Sequence, residues 1–145
     1  RDTPVVLVLF GDHKPWMGNG GSVYEEMGID FDTSTLAGFR NYYATPYLIW
    51  ANRAAKEVLG ADFTGDGGDF SPCFLMTRLF DACGWAGPGY MQLSRAMRDI
   101  SPLLHTNGLF LHDGVLTSVL SDTDRSFYRS WLAVQYYREH VAAYS

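Results

Sequence analysis

The chain is poor in cysteine, in basic charge and in long apolar runs, and each shortage removes a class of function. Only Cys73 and Cys83 occur in 145 residues, with no CxxC pair, so neither a disulfide framework nor a cysteine-rich metal knot is available. Both fall in one expected helix, where ten residues of rise place them roughly 15 Å apart, too far for a disulfide. They read as two small buried thiols. Lys and Arg total 11 against 16 acidic residues, a net charge of −5, and no basic stripe is visible. That composition argues against a nucleic-acid partner. The longest unbroken apolar run is Val5–Phe10, far short of the ~20 residues of a membrane-spanning helix, and no signal-peptide pattern is present. Walker A, GxGxxG and GxSxG sequences are all missing, so no phosphate-binding loop and no nucleophile elbow is encoded.

What is present is core material. Apolar residues make up 47% and charged residues 19%, with nine Phe, nine Tyr and four Trp. This is a folding composition, and a chain of this size buries roughly 68–70% of its unfolded surface. One domain over residues 1–145 is expected. The chain opens on Arg1, not Met, and enters an apolar strand within a few residues. It therefore reads as a piece of something longer.

The expected fold class is α/β, a small mixed sheet with helices packed against it. Val5–Phe10 is apolar throughout and reads as a strand buried on both faces, of the central parallel type. Tyr47–Trp50 reads as a second strand, with Pro46 tolerated at its start. Leu109–Leu111 and Val115–Thr117 flank His112-Asp113-Gly114 as a hairpin joining the same sheet. Helices are expected over Val23–Met27, capped by Ser22 with Glu25 as capping-box partner. Another should begin at Ser71-Pro72 and close at Gly84, with Phe74, Leu75, Leu79, Phe80 and Cys83 on its apolar side. A further one should begin at Pro88, carrying Met91, Leu93, Met97 and Ile100. The last should be capped by Asp122 or Thr123 and run to about Arg138, with Phe127, Trp131, Val134 and Val141 as its buried stripe. Asn52–Leu59 reads as a short helical turn or part of a loop, and Ile29–Phe39 has no clean period. Thr64–Asp69 reads as a loop.

Chemistry concentrates where the first strand ends, at Gly11-Asp12-His13-Lys14-Pro15. The carboxyl ends of buried strands are where α/β proteins place their sites. A carboxylate oxygen and an imidazole nitrogen are natural ligands for zinc, manganese or iron. Asp12 and His13 are thus candidate metal ligands, and Lys14 beside them a candidate for meeting a phosphate. The plainer reading of the same residues is a turn cap, a carbonyl-satisfying imidazole and a solvated lysine. Two ligands are also fewer than the usual three protein ligands of a catalytic zinc. His105, His112 and Asp113 read as turn residues, and His140 as a partly cationic ring suited to a helix C-terminus. The four Trp read as core or rim aromatics.

The stretch Val5–Gly18, VVLVLFGDHKPWMG, resembles the strand and Gly-Asp-His-x-Pro turn of the sulfatase-like phosphoglycerol transferases, which include the lipoteichoic acid synthases of the alkaline phosphatase superfamily. Further segments agree in order: Val23-Tyr24 to Gly28-Ile29, then YATPYLIWAN at Tyr43–Asn52, the helix of Ser71–Gly84, and YRSWLAVQYY at Tyr128–Tyr137. The resemblance covers nearly the whole chain. It implies that Asp12 and His13 ligate a catalytic divalent metal, manganese or zinc. It also implies that the nucleophilic Thr or Ser, an acidic ligand and a substrate-binding His lie upstream of this chain. The chain would then be the C-terminal third of a catalytic domain acting on phospholipid head groups or another anionic ester. It would be inactive alone, in a parent anchored in the cell membrane with its catalytic domain outside the cytoplasm. Two alternatives accompany this expectation. One is a non-catalytic binding or dimerisation module of the same ancestry, with a homodimer formed through an uncovered sheet edge. The other is a sulfatase or phosphoethanolamine transferase.

Overall fold

The computed structural model describes residues 3–141. The chain is α/β, with strands β1 (Val6–Phe10) and β2 (Tyr47–Ala51) and helices α1 (Ser22–Glu26), α2 (Leu36–Tyr43) and α3 (Arg53–Leu59) in its first half. Helices α4 (Leu75–Ala82) and α5 (Gly89–Ile100), strands β3 (Phe110–His112) and β4 (Val115–Thr117), and helix α6 (Asp122–His140) follow. Contacts divide the chain into two compact units, Arg1–Thr64 and Gly65–Ser145.

The first unit is built on an antiparallel ribbon. β1 pairs with β2 from Val6 opposite Ala51 to Phe10 opposite Tyr47. This corrects the expectation of a parallel-type strand buried on both faces. Leu7 and Leu9 stand opposite Trp50 and Leu48 on one face, and all four are about half exposed. Apolar composition alone cannot distinguish a strand covered by its own chain from one whose face is left open. The ribbon is closed at both ends by side chains. Asn52 accepts from the backbone N–H of Ala55 at 2.9 Å, capping α3, and from that of Val5 at 3.1 Å, while its amide donates to Thr3 O at 2.9 Å. At the other end the Thr45 hydroxyl donates to Gly11 O at 2.6 Å, and Gly11 N–H donates to Pro46 O at 3.0 Å.

Two local expectations are revised in this unit. Ser22 does not cap α1. The cap is Gly21 in a left-handed conformation (φ +81°), and Ser22 is the first helical residue. The stretch without clean period hides α2, whose hydroxyl cap Thr35 accepts from Gly38 N–H at 3.0 Å. An aspartate turn precedes it, with Asp32 accepting from Ser34 N–H at 2.9 Å. Gly38 lies so close to this turn that a Cβ there would collide with the Asp32 carbonyl. Phe39, buried, anchors the helix against the unit's aromatic cluster, in which Tyr24, Phe31 and Tyr42 make successive ring contacts.

The second unit is helical with one small hairpin. Ser71 begins a 3₁₀ turn (Pro72–Phe74) that leads into α4, and Gly84 follows its end with φ +67°. Phe74, Met97 and Trp131 form the buried centre, with Leu93, Ile100, Leu104, Phe127 and Tyr128 packed around them. Burying each large side chain contributes about 1.5–3 kcal/mol. The stripe of α6 is buried only around Trp131; Val134 and Val141 are exposed. The cap of α6 is Ser121, one residue earlier than expected, and it accepts from Asp124 N–H at 3.1 Å. β3 and β4 form a sheet of their own and do not join the first ribbon. Their turn, Asp113-Gly114, has φ of +49° and +78°, both left-handed as a two-residue hairpin turn requires. Buried serines tie the hairpin to the helices. Ser71 Oγ donates to Leu104 O at 3.0 Å and accepts from Leu104 N–H at 2.8 Å, and Ser101 Oγ accepts from Leu111 N–H at 3.1 Å. Both cysteines are free thiols; Cys83 is buried as expected, but Cys73, in the 3₁₀ turn before α4, is exposed, which corrects the reading of two buried thiols. No described helix is long and apolar enough to cross a membrane.

Candidate metal centre

Where β1 ends, the chain is held on one side and released on the other. Gly11 is clamped to Thr45 and Pro46 as described. Beyond the exposed pair, Pro15 O accepts the Tyr24 hydroxyl at 2.6 Å. Between these anchors Asp12 and His13 project into solvent, with about four-fifths of each side chain exposed. Asp12 Oδ1 accepts from the His13 backbone N–H at 2.8 Å, which fixes the carboxylate beside the next residue. His13 Nε2 then lies 3.5 Å from Asp12 Oδ2.

The imidazole's other nitrogen decides what this pair can hold. His13 Nδ1 is 3.1 Å from Lys14 O, and a carbonyl only accepts, so Nδ1 carries a proton. In the neutral ring Nε2 then carries the lone pair and lies 3.5 Å from a carboxylate oxygen. Two acceptors facing each other repel unless a proton or a cation lies between them. Two donors about 2.0–2.2 Å from one tetrahedral ion are roughly 3.3–3.6 Å apart, which the observed separation fits. The Nδ1–H to carbonyl bond is also the outer-shell contact that typically orients a metal-ligating histidine. The donor set thus fits two positions of a divalent metal site.

Lys14 is placed differently from its neighbours. Its ammonium donates to Asn41 O and lies 5.9 Å from the centre of the Phe31 ring, so it is turned back onto the first unit. To meet an anion it has to leave that carbonyl. The remaining histidines each have a local partner. His105 Nδ1 accepts from Asn107 N–H at 3.3 Å, and His140 Nδ1 pairs with Tyr136 O at 3.0 Å at the end of α6. His112 Nδ1 donates to Ile100 O at 3.0 Å, a bond that raises its pKa, with Asp113 and Asp124 adding to the rise. Among the described residues no three His, Cys, Asp or Glu side chains gather as a metal cluster.

One polar cluster is not among the residues that the sequence singles out. On α4 and α5, Arg78, Arg95 and Arg98 surround the single carboxylate of Asp81. The signal for it is the spacing: Arg78 and Asp81 are three apart, as are Arg95 and Arg98, so each pair shares a helix face. Burial alone would raise the Asp81 pKa, but the hydrogen bonds from Arg98 and Arg95 outweigh it and hold the carboxyl below its usual range.

No family model matches the chain, and no match is found among curated proteins or solved structures.

Proposed function

We propose that this chain supplies the Asp-His half of a divalent metal site in a sulfatase-like phosphoglycerol transferase acting on phospholipid head groups. The observation that carries the reading is the convergence of Asp12 Oδ2 and His13 Nε2 at 3.5 Å, at the end of a strand, with the ring tautomer set by Lys14 O. Asp12 and His13 would hold the metal, manganese or zinc. A metal so held supplies Lewis acidity: it lowers the pKa of an attacking hydroxyl and neutralises charge on phosphoryl oxygens. The chain's own part is to fix the two donors. Gly11 and Pro15 anchor the turn, and the bond between Nδ1 and the Lys14 carbonyl holds the ring with Nε2 beside Asp12. In this reading the nucleophile and the other ligands lie outside the chain, and the parent is a membrane-anchored enzyme with an extracytoplasmic catalytic domain.

The test is paramagnetic broadening by Mn²⁺ in spectra of the 145-residue chain. Broadening should centre on His13 and vanish in Asp12→Ala and in His13→Ala. Broadening centred elsewhere, or unchanged in Asp12→Ala, overturns the assignment. The chain alone should show no phosphodiesterase turnover.

A second reading rests on the unpaired edge of the ribbon. Gly11 and Asn52 bond across to Pro46 and Val5, so by alternation the main-chain groups of Val6, Val8 and Phe10 point away from β2. No described strand pairs with that edge. The edge strand carries no charge to oppose a copy of itself, and a two-fold axis would pair β1 with β1 antiparallel. The occupant in this reading is a second copy of the chain.

A further inference from the structure

Asp81 offers two oxygens to three guanidinium groups. Arg95 Nε donates to Oδ1 at 2.6 Å and Arg98 Nη2 to Oδ2 at 2.7 Å. Arg95 directs its other nitrogens to Ala86 O and Trp85 O, each at 2.5 Å, and so closes the loop between α4 and α5. Arg98 Nη1 donates to Thr77 Oγ1 at 2.9 Å, and Thr77 is itself buried. Those two arginines are structural. Arg78 is not held in the same way. Its Nη1 comes no nearer to Asp81 Oδ2 than 3.6 Å, too long for a hydrogen bond, and its Nε is buried with no hydrogen-bond partner among the described residues. A buried donor without an acceptor is costly and calls for an explanation.

From this quartet we infer an oxyanion site on the α4–α5 face, centred on Arg78, that takes a dianionic phosphate group. Three formal positive charges meet one negative charge there. The excess of two matches a phosphate monoester, which carries about −1.5 to −2 charge at pH 7. The guanidinium fork of Arg78 suits two phosphate oxygens at once, and Arg95 and Arg98 add field from positions already fixed by Asp81. About a third of the Arg78 side chain reaches solvent, although Nε itself lies beneath it. The platform is rigid, since all four residues sit on helices. The site is independent of Asp12 and His13.

The test follows the arginine Nε–H resonances of the whole chain during titration with inorganic phosphate, at ionic strength held constant with chloride. The Arg78 Nε–H signal should move saturably. Arg78→Gln should weaken phosphate binding by at least about tenfold, the strength of one charge-assisted hydrogen bond. Arg78→Lys, which keeps the charge and loses the fork, should recover only part of it. Should Arg78→Gln fail to fold, the wild-type Nε–H shift and Arg78→Lys decide the matter. A response equal to that of chloride, a shift confined to other arginines, or unchanged affinity in the folded glutamine variant overturns the site. Repetition with glycerol phosphate separates the sources. Tighter binding than the free ion assigns a phosphate ester, weaker binding the free ion, and either supports the site.

Discussion

The indole of Trp131 donates to Ser94 Oγ at 3.0 Å, joining α6 to α5 through two side chains that are both almost wholly buried. The bond satisfies the one polar atom of the largest ring in the second unit's centre. Ser94→Ala leaves the indole N–H buried without an acceptor and should cost about 1–3 kcal/mol. Urea unfolding of the second unit measures this. The double variant Ser94→Ala with Trp131→Phe removes donor and acceptor together. It should therefore lose less than the two single changes added, and a cycle showing strict additivity would count against the bond.

Stability should also depend on acid through Asp81. Its folded pKa is depressed, so its contribution is fully present above the unfolded value of about 3.9 and is lost as pH falls through the folded value. Thermal unfolding of wild type and Asp81→Asn from neutral pH down to about pH 2 gives the comparison. The wild-type advantage should shrink towards zero at the acid end. An advantage that stays constant with pH would mean the carboxylate charge is not what holds the arginines.

The open face of the ribbon gives a prediction about association. Leu9→Lys with Leu48→Lys places two charges on neighbouring strands of that face without touching the capping side chains. Light scattering should show concentration-dependent dimers for the wild type and monomers for the double variant. A wild type that stays monomeric at every concentration removes the second copy as the occupant of the edge.

Local chemistry makes many of these elements legible in the amino-acid sequence. β1 and β2 are legible because β-branched and aromatic residues mark them, and Pro72, Gly84 and Pro88 punctuate α4 and α5 as their backbone limits require. The helix α2 is not legible, because its cap, Thr35, works through a turn set by Asp32 and its apolar face is made of Phe39 and Tyr43 among polar neighbours. The placing of the strands is less legible still. Leu7 has the same composition whether a neighbour covers it or not, so periodicity does not report that β1 pairs antiparallel with an open face. The candidate metal pair is visible from Asp12 and His13 as residue types. The direction of the His13 lone pair is not, since it depends on a carbonyl one residue away. The arginine cluster is spread over two helices, and only their packing brings its charges onto Asp81.

Gly38 carries a consequence of a different kind. Its contact with the Asp32 carbonyl excludes even alanine unless the turn before α2 opens. That constraint comes from the backbone and owes nothing to catalysis. A variant changed at both Asp12 and His13 would still have to keep glycine at 38 to fold in this way. Position 38 is therefore held by the scaffold itself, whatever stands at positions 12 and 13.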